Sequence, residues 1–305
     1  MRELLSSLIV DSAAADPGYI MLSGDHGYAL FDALRREKPG QFLNVGVAEQ
    51  GMVGLAAGLA RVGFRPVVYG LSSFVPIRVL EQIKIDVCFS KLPVMFLGDG
   101  AGLVYSTLGA SHQCAEDIAC LRPLPHLRLY SPCDAEELRA CYAEAMAYDG
   151  PSYLRIGKSD RPPVHQKPLP STEAHFIHKT SGSKVCLVAA GSMVSPCADI
   201  AKKMSLSCLS IPRIKPLPKN LPKLTAPFKT LIVVEEHSRH GGLASAILER
   251  LALDPKISRI PKIRSLSLED KFSELCGSYQ YALSEHGLSD SQLPGRIKQI
   301  VESAK

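Results

Sequence analysis

Glu49 is the side chain of this 305-residue protein that its neighbours best place for chemistry. It stands in Gly46-Val47-Ala48-Glu49-Gln50-Gly51, directly after the apolar run Phe42-Leu43-Asn44-Val45. Beyond it, Met52, Leu55, Ala56 and Leu59 recur at helical spacing. The segment therefore predicts a strand, a turn and a helix, with the carboxylate at the helix start. Unpaired backbone amides and the positive end of the helix dipole favour negative charge there. By itself such a carboxylate need only stabilise its own helix. Gly51, Gly54 and Gly58 let another backbone approach the same helix closely. Asp134, before the helical pattern that begins Ala135-Glu136-Glu137-Leu138, is a plausible N-cap.

The elements that must position these groups follow from pattern. Short apolar runs such as Pro66-Val67-Val68-Tyr69, Lys91 to Leu97 and Leu231 to Val234 alternate with helical segments throughout. This predicts an α/β protein of two domains, each a mainly parallel sheet flanked by helices. The predicted division is 1–160, a connecting linker over 161–183 rich in Pro, Ser, Thr and Lys, and 184–305. In the second part Val185 to Ser192 reads as strand and turn, ahead of a helix from about Pro196. There is no internal repeat.

Composition narrows the classes of function. The chain is 46% hydrophobic and 21% charged, as an ordinary globular protein is. No apolar stretch approaches the roughly 20 residues that span a bilayer. Residues 1–160 hold 14 basic and 18 acidic groups, net −4, and residues 161–305 hold 21 and 12, net +9. No basic run is interleaved with aromatics, so neither nucleic acid nor membrane is an expected partner. The nine cysteines form no Cys-x-x-Cys pair and are expected as reduced core thiols. The N-terminal segment reads as an amphipathic helix and not a signal peptide, so a cytoplasmic location is expected.

Gly-Val-Ala-Glu-Gln resembles a motif of thiamine-diphosphate enzymes of the transketolase and deoxyxylulose-phosphate-synthase superfamily, and other segments match that family in order. They are Ser73-Phe74, the strand Lys91-Leu92-Pro93-Val94, Asp99 to Val104 with Gly109-Ala110-Ser111-His112-Gln113, and Pro132-Cys133-Asp134. Gly150 to Arg155, Ile214 to Pro218 and Glu235-Glu236-His237 with Gly241-Gly242 complete the series. The resemblance implies a pyrimidine-binding domain followed by a transketolase C-terminal domain. It implies that Glu49 hydrogen-bonds the aminopyrimidine and activates the cofactor, that Phe74 stacks on that ring, and that His112 is an active-site histidine toward the substrate. Asp25, in Leu22-Ser23-Gly24-Asp25, matches a cofactor-side position, and Arg155 and Lys158 match positions that contact substrate phosphate.

The same resemblance marks what is absent. The family's diphosphate domain, with its Gly-Asp-Gly … Asn metal motif, has no counterpart, and Gly98-Asp99-Gly100 is read as a coincidental match without metal ligands. The expectation is a split transketolase that moves a two-carbon ketol unit between sugar phosphates. A separate subunit would hold the diphosphate and Mg2+, in an α2β2 heterotetramer. Gly98 stands where transketolases carry a donor-contacting His, and Tyr105-Ser106-Thr107-Leu108 lacks their acidic residue. Two alternatives stay open, the beta subunit of a 2-oxo-acid dehydrogenase decarboxylating component and a non-catalytic scaffold subunit.

Overall fold

The computed structural model describes residues 1–158 and 160–303. The first domain's strands are β1 (Tyr19–Ser23), β2 (Phe42–Asn44), β3 (Arg65–Leu71), β4 (Met95–Asp99), β5 (Arg128–Tyr130) and β6 (Ser152–Ile156). The second part adds β7 (His175–His178), β8 (Val185–Ala189), β9 (Ser207–Ser210), β10 (Arg213–Lys215), β11 (Thr230–Ser238) and β12 (Lys262–Leu268). One sheet has seven strands in the order β10-β5-β6-β4-β3-β1-β2, and the other has five in the order β12-β11-β8-β9-β7. All pairings are parallel except β10 with β5 and β7 with β9, so the predicted pair of mainly parallel sheets is present.

The central strands are covered on both faces, which explains their unbroken apolar runs. Val67, Val68, Phe96, Leu97 and Leu154 are wholly buried. Around the first sheet lie α1 (Arg2–Ala15), α2 (Asp32–Glu37), α3 (Glu49–Arg61), α4 (Leu80–Gln82, widening into a π-helical turn), α5 (Asp117–Leu121) and α6 (Ala135–Ala147). Around the second lie α7 (Val194–Met204), α8 (Leu221–Thr225), α9 (Leu243–Ala252), α10 (Tyr279–Glu285) and α11 (Leu293–Ser303). The helix expected from about Pro196 thus begins two residues earlier. Asp134 caps α6 as expected, its side chain accepting from the Glu137 amide.

The division of the chain differs from the sequence expectation in two places. The stretch 161–183 is not wholly a linker, because β7 lies within it and closes the edge of the second sheet against β9. Conversely, β10 leaves the second part and extends the first sheet beyond β5. The two halves are also joined by backbone hydrogen bonds, from Ser131 to Pro212, Gly191 to Ser131 and Ser238 to Ala115. One apolar cluster is continuous through both, uniting Ile118 and Leu129 with Ile214, Leu231 and Val233. Among the described residues, no helix is long and apolar enough to cross a membrane.

Candidate active site

The parallel strands β1, β3 and β4 end at Ser23, Leu71 and Asp99, and their following loops share that edge of the sheet. Ligands of open α/β sheets bind outside the carboxyl ends of the strands. Asn44 ties this edge together. Its side-chain oxygen accepts from the amides of Asp25 and Gly46, each at 3.0 Å. Gly46 has φ +72°, a conformation that a side chain would strain, and the turn there delivers Glu49 to the first position of α3.

Glu49 is 4% exposed, and its Oε1 accepts from Arg78 Nη1 at 3.0 Å. The Arg78 guanidinium lies over the Phe74 ring, 4.2 Å from its centre, and its side chain stays 46% exposed. Phe74 in turn meets the His112 ring edge-on at 5.4 Å and faces His26 at 6.1 Å. Glu49, Phe74 and His112, which lie far apart in sequence, therefore stand in one chain of contacts. His112 Nδ1 is 2.9 Å from Ser111 Oγ. Among the described residues, two buried polar atoms beside Phe74, His26 Nε2 and Ser73 Oγ, have no hydrogen-bond partner. Unpartnered buried polar atoms are uncommon in folded proteins.

Sequence reasoning missed Arg78 and His26 as members of this cluster, and had Ser73 only as the neighbour of Phe74. A signal existed for Arg78, which follows Phe74 by four residues and returns its amide to the Phe74 carbonyl at 3.2 Å. Asp25 is brought to the same edge but not into the ring cluster. It is exposed, with φ +62°, and accepts from Tyr28 Oη at 3.0 Å and Asn44 Nδ2 at 3.2 Å.

Asp99 is engaged inside the protein, its Oδ2 accepting from Tyr69 Oη at 2.7 Å and Tyr105 Oη at 3.1 Å. Burial, and then the Asp99 charge, push both phenols up. At Gly98 an added Cβ would collide with Tyr153 Oη and stand 2.8 Å from Ser72 Oγ. Tyr153 fills the space that a side chain at 98 would need.

Arg155, expected at the substrate, is instead buried. Its Nε donates to both carboxylate oxygens of Asp117, at 3.1 and 2.8 Å, and a terminal nitrogen donates to the Glu236 carbonyl at 2.8 Å. Its side chain is only 5% exposed and that of Asp117 is wholly buried. In this position the guanidinium is buried and acts as a contact between the two halves of the chain. Lys158 is 35% exposed, pairs with Asp160 at 3.3 Å and lines a cleft with Arg2, Asp99 and Tyr105.

The Glu235-Glu236-His237 motif is likewise structural. Glu235 accepts from the first amides of α9, Leu243 at 2.6 Å and Ala244 at 3.0 Å. A Cβ on Gly242 would collide with that carboxylate, and one on Gly241, whose φ is +75°, would meet Ala119. Glu236 binds the Leu103 amide at 2.6 Å, with Ser192 Oγ and Tyr279 Oη each at 2.5 Å. Burial raises Glu235 to about 7 and lowers His237 to about 4. All nine cysteines are free, and six are buried as expected, whereas Cys120 and Cys133 are partly buried and Cys276 is exposed.

Comparisons with known proteins agree with this architecture. Residues 1–163 match the pyrimidine binding domain of transketolase and residues 174–263 its C-terminal domain. One of the subunits of an apulose-4-phosphate transketolase from Phocaeicola vulgatus is 31% identical over 85% of this chain and 86% of its own length. A 1-deoxy-D-xylulose-5-phosphate synthase from a Synechococcus species is 37% identical over 95% of this chain, which spans 46% of that longer protein. Among solved structures, a split-gene transketolase in an inactive β4 tetramer superposes with a TM-score of 0.85. It is 28% identical, over 98% of this chain and 97% of that one.

Proposed function

This chain belongs to the transketolase family, and we propose that it is one subunit of a split, thiamine-diphosphate-dependent enzyme that transfers a two-carbon ketol unit between sugar substrates. The observation that carries the reading is the convergence of Glu49, Phe74 and His112 at the carboxyl edge of the first sheet. Likeness to a single transketolase subunit over most of both chains supports an enzyme whose site is divided between two polypeptides.

The residues present fit the aminopyrimidine end of that cofactor. A nearly buried carboxylate, an aromatic face and two unpartnered polar atoms suit a flat heterocycle with hydrogen-bonding nitrogens. Among the described residues, the one group of His, Cys and acidic side chains that could hold a metal is Cys133, Glu137 and His165, none of which belongs to the ring cluster. In this reading the diphosphate and its Mg2+ belong to the partner subunit, in an α2β2 assembly.

Thiamine diphosphate, when bound, would supply the electron sink for carbon–carbon bond cleavage. Glu49 would hold a hydrogen bond to a nitrogen of the aminopyrimidine and move a proton along it. Phe74 would stack on the ring, and a ring arriving on the covered face displaces the Arg78 guanidinium. His112 would hydrogen-bond the substrate oxygen whose charge changes during cleavage. Lys158 remains a proposed contact for a substrate phosphate at the neighbouring cleft.

The test is reconstitution. The chain is mixed with a subunit carrying the diphosphate domain, thiamine diphosphate, Mg2+ and pairs of sugar phosphates, and products are followed by mass spectrometry. Ketol transfer is expected. Decarboxylation of a 2-oxo acid, deoxyxylulose phosphate synthesis, or no turnover with an assembled complex would each replace this reading with another.

A further inference from the structure

Away from the ring cluster, a second group of chemically able side chains converges where the two halves of the chain meet. Cys133 comes from the turn before α6, Glu137 from its first turn, His165 from the connecting segment and His175 from β7. The His165 and His175 rings lie 4.9 Å apart, with their Nε2 atoms facing at 2.8 Å.

The protons decide what this contact can be. His165 Nδ1 is 2.9 Å from Asp134 Oδ2, an oxygen that also accepts from the amides of Val164 and His165 at 3.0 Å each. His175 Nδ1 is 3.0 Å from the Glu173 carbonyl. A carboxylate and a carbonyl only accept, so each ring carries its hydrogen on Nδ1. Two neutral imidazoles then point unprotonated Nε2 lone pairs at each other across 2.8 Å, which is repulsive unless a positive charge stands between or beside them. Glu137 Oε1 is 3.4 Å from His175 Nε2. The ligand atoms of Cys133, Glu137 and His165 all lie within 4.8 Å of one another.

We propose that Cys133 Sγ, Glu137 Oε1, His165 Nε2 and His175 Nε2 form a site for one divalent transition-metal ion of the zinc class. Two nitrogens, a thiolate and a carboxylate match the donor preferences of Zn2+ in tetrahedral geometry. Nitrogens bound at about 2.0–2.1 Å on a tetrahedral ion stand roughly 3.3 Å apart, so the rings need part by only about half an ångström. The outer groups are already in place, with Asp134 and the Glu173 carbonyl orienting the rings and Ser210 Oγ donating to Glu137 at 2.5 Å. Binding releases the Cys133 thiol proton to solvent and leaves no redox change. The ion would join the first domain, the connecting segment and the edge of the second sheet, a structural role independent of the catalytic reading.

The test uses the full, tag-free chain, stripped with a chelator and titrated with Zn2+, and separately with Co2+ as an optical probe. The expected result is one equivalent bound, a thiolate-to-cobalt charge-transfer band that Cys133→Ser removes, and affinity weakened about tenfold or more by His175→Gln. Zn2+ should also raise the melting temperature of the wild type, and raise that of His175→Gln less at the same metal concentration. Substoichiometric binding to the wild type, with the imidazole pair sharing a proton by NMR, would overturn the proposal. So would a band and stoichiometry unchanged in both variants, since the metal would then sit on other thiols.

Discussion

Glu49 combines two properties that rarely coincide, a nearly buried carboxylate and a single, half-exposed cationic partner in Arg78. Because Arg78 can turn to solvent, Glu49→Gln should leave folding little altered. In the reconstituted enzyme it should lower proton exchange at the reactive cofactor carbon by roughly 10²–10⁴-fold, the usual contribution of a positioned acid or base. Exchange at the wild-type rate, read by NMR, would remove Glu49 from its role. His112 and Phe74 touch, yet they should separate in kinetics. His112→Ala is expected to lower turnover and weaken the donor while cofactor affinity holds, whereas Phe74→Ala should weaken the cofactor first. Equal effects on cofactor affinity with unchanged donor saturation would show that His112 does not face the substrate. Glu49, Phe74 and His112 were legible because each sits in a contiguous motif. Arg78 and His26 were not, since they join the site only through the ring that the fold sets between them.

At the scale of elements, what the sequence hid was pairing across distance. Gly98 is explained only by Tyr153, which lies on the neighbouring strand β6 and occupies the space beside it. The strand β7 is four residues amid polar sequence, and nothing local distinguishes it from linker until β9 is known to lie alongside. Arg155 ends an ordinary strand pattern, and its burial becomes visible only when Asp117 and Glu236 are brought to it. Its two possible roles predict different measurements. As a buried strut between the halves, Arg155→Ala strands the Asp117 carboxylate and should cost about 3–5 kcal/mol in urea unfolding. A substrate contact would instead raise KM and leave the unfolding midpoint unchanged. The strand and helix alternation was readable throughout because burial on both faces makes each central strand a run of apolar residues.

At the scale of the whole molecule, the helix that begins at Glu49 leaves one of its faces uncovered. Gly51, Gly54 and Gly58 are exposed along α3, and a Cβ added at any of them would meet nothing within 4 Å. Beside them Val47 and Val62 are each 72% exposed and Leu55 is 39% exposed. A helix that is flat and apolar toward solvent, and that begins at Glu49, suits the close approach of a second chain. The consequence can be tested without disturbing the fold. Gly54→Leu meets no steric obstacle within the chain and replaces a poor helix former, so the isolated subunit should keep or slightly raise its melting temperature, by a stability gain of up to about 1 kcal/mol. Assembly with the partner subunit should nevertheless fail or weaken sharply, because the added side chain stands where the partner's backbone must come. Gly295→Leu is the control, for it too is an exposed helical glycine with open space around it, on α11. It should assemble like the wild type. Sedimentation of the reconstituted mixtures separates the outcomes, and a Gly54→Leu chain that assembles with wild-type affinity would mean that α3 faces solvent in the working enzyme.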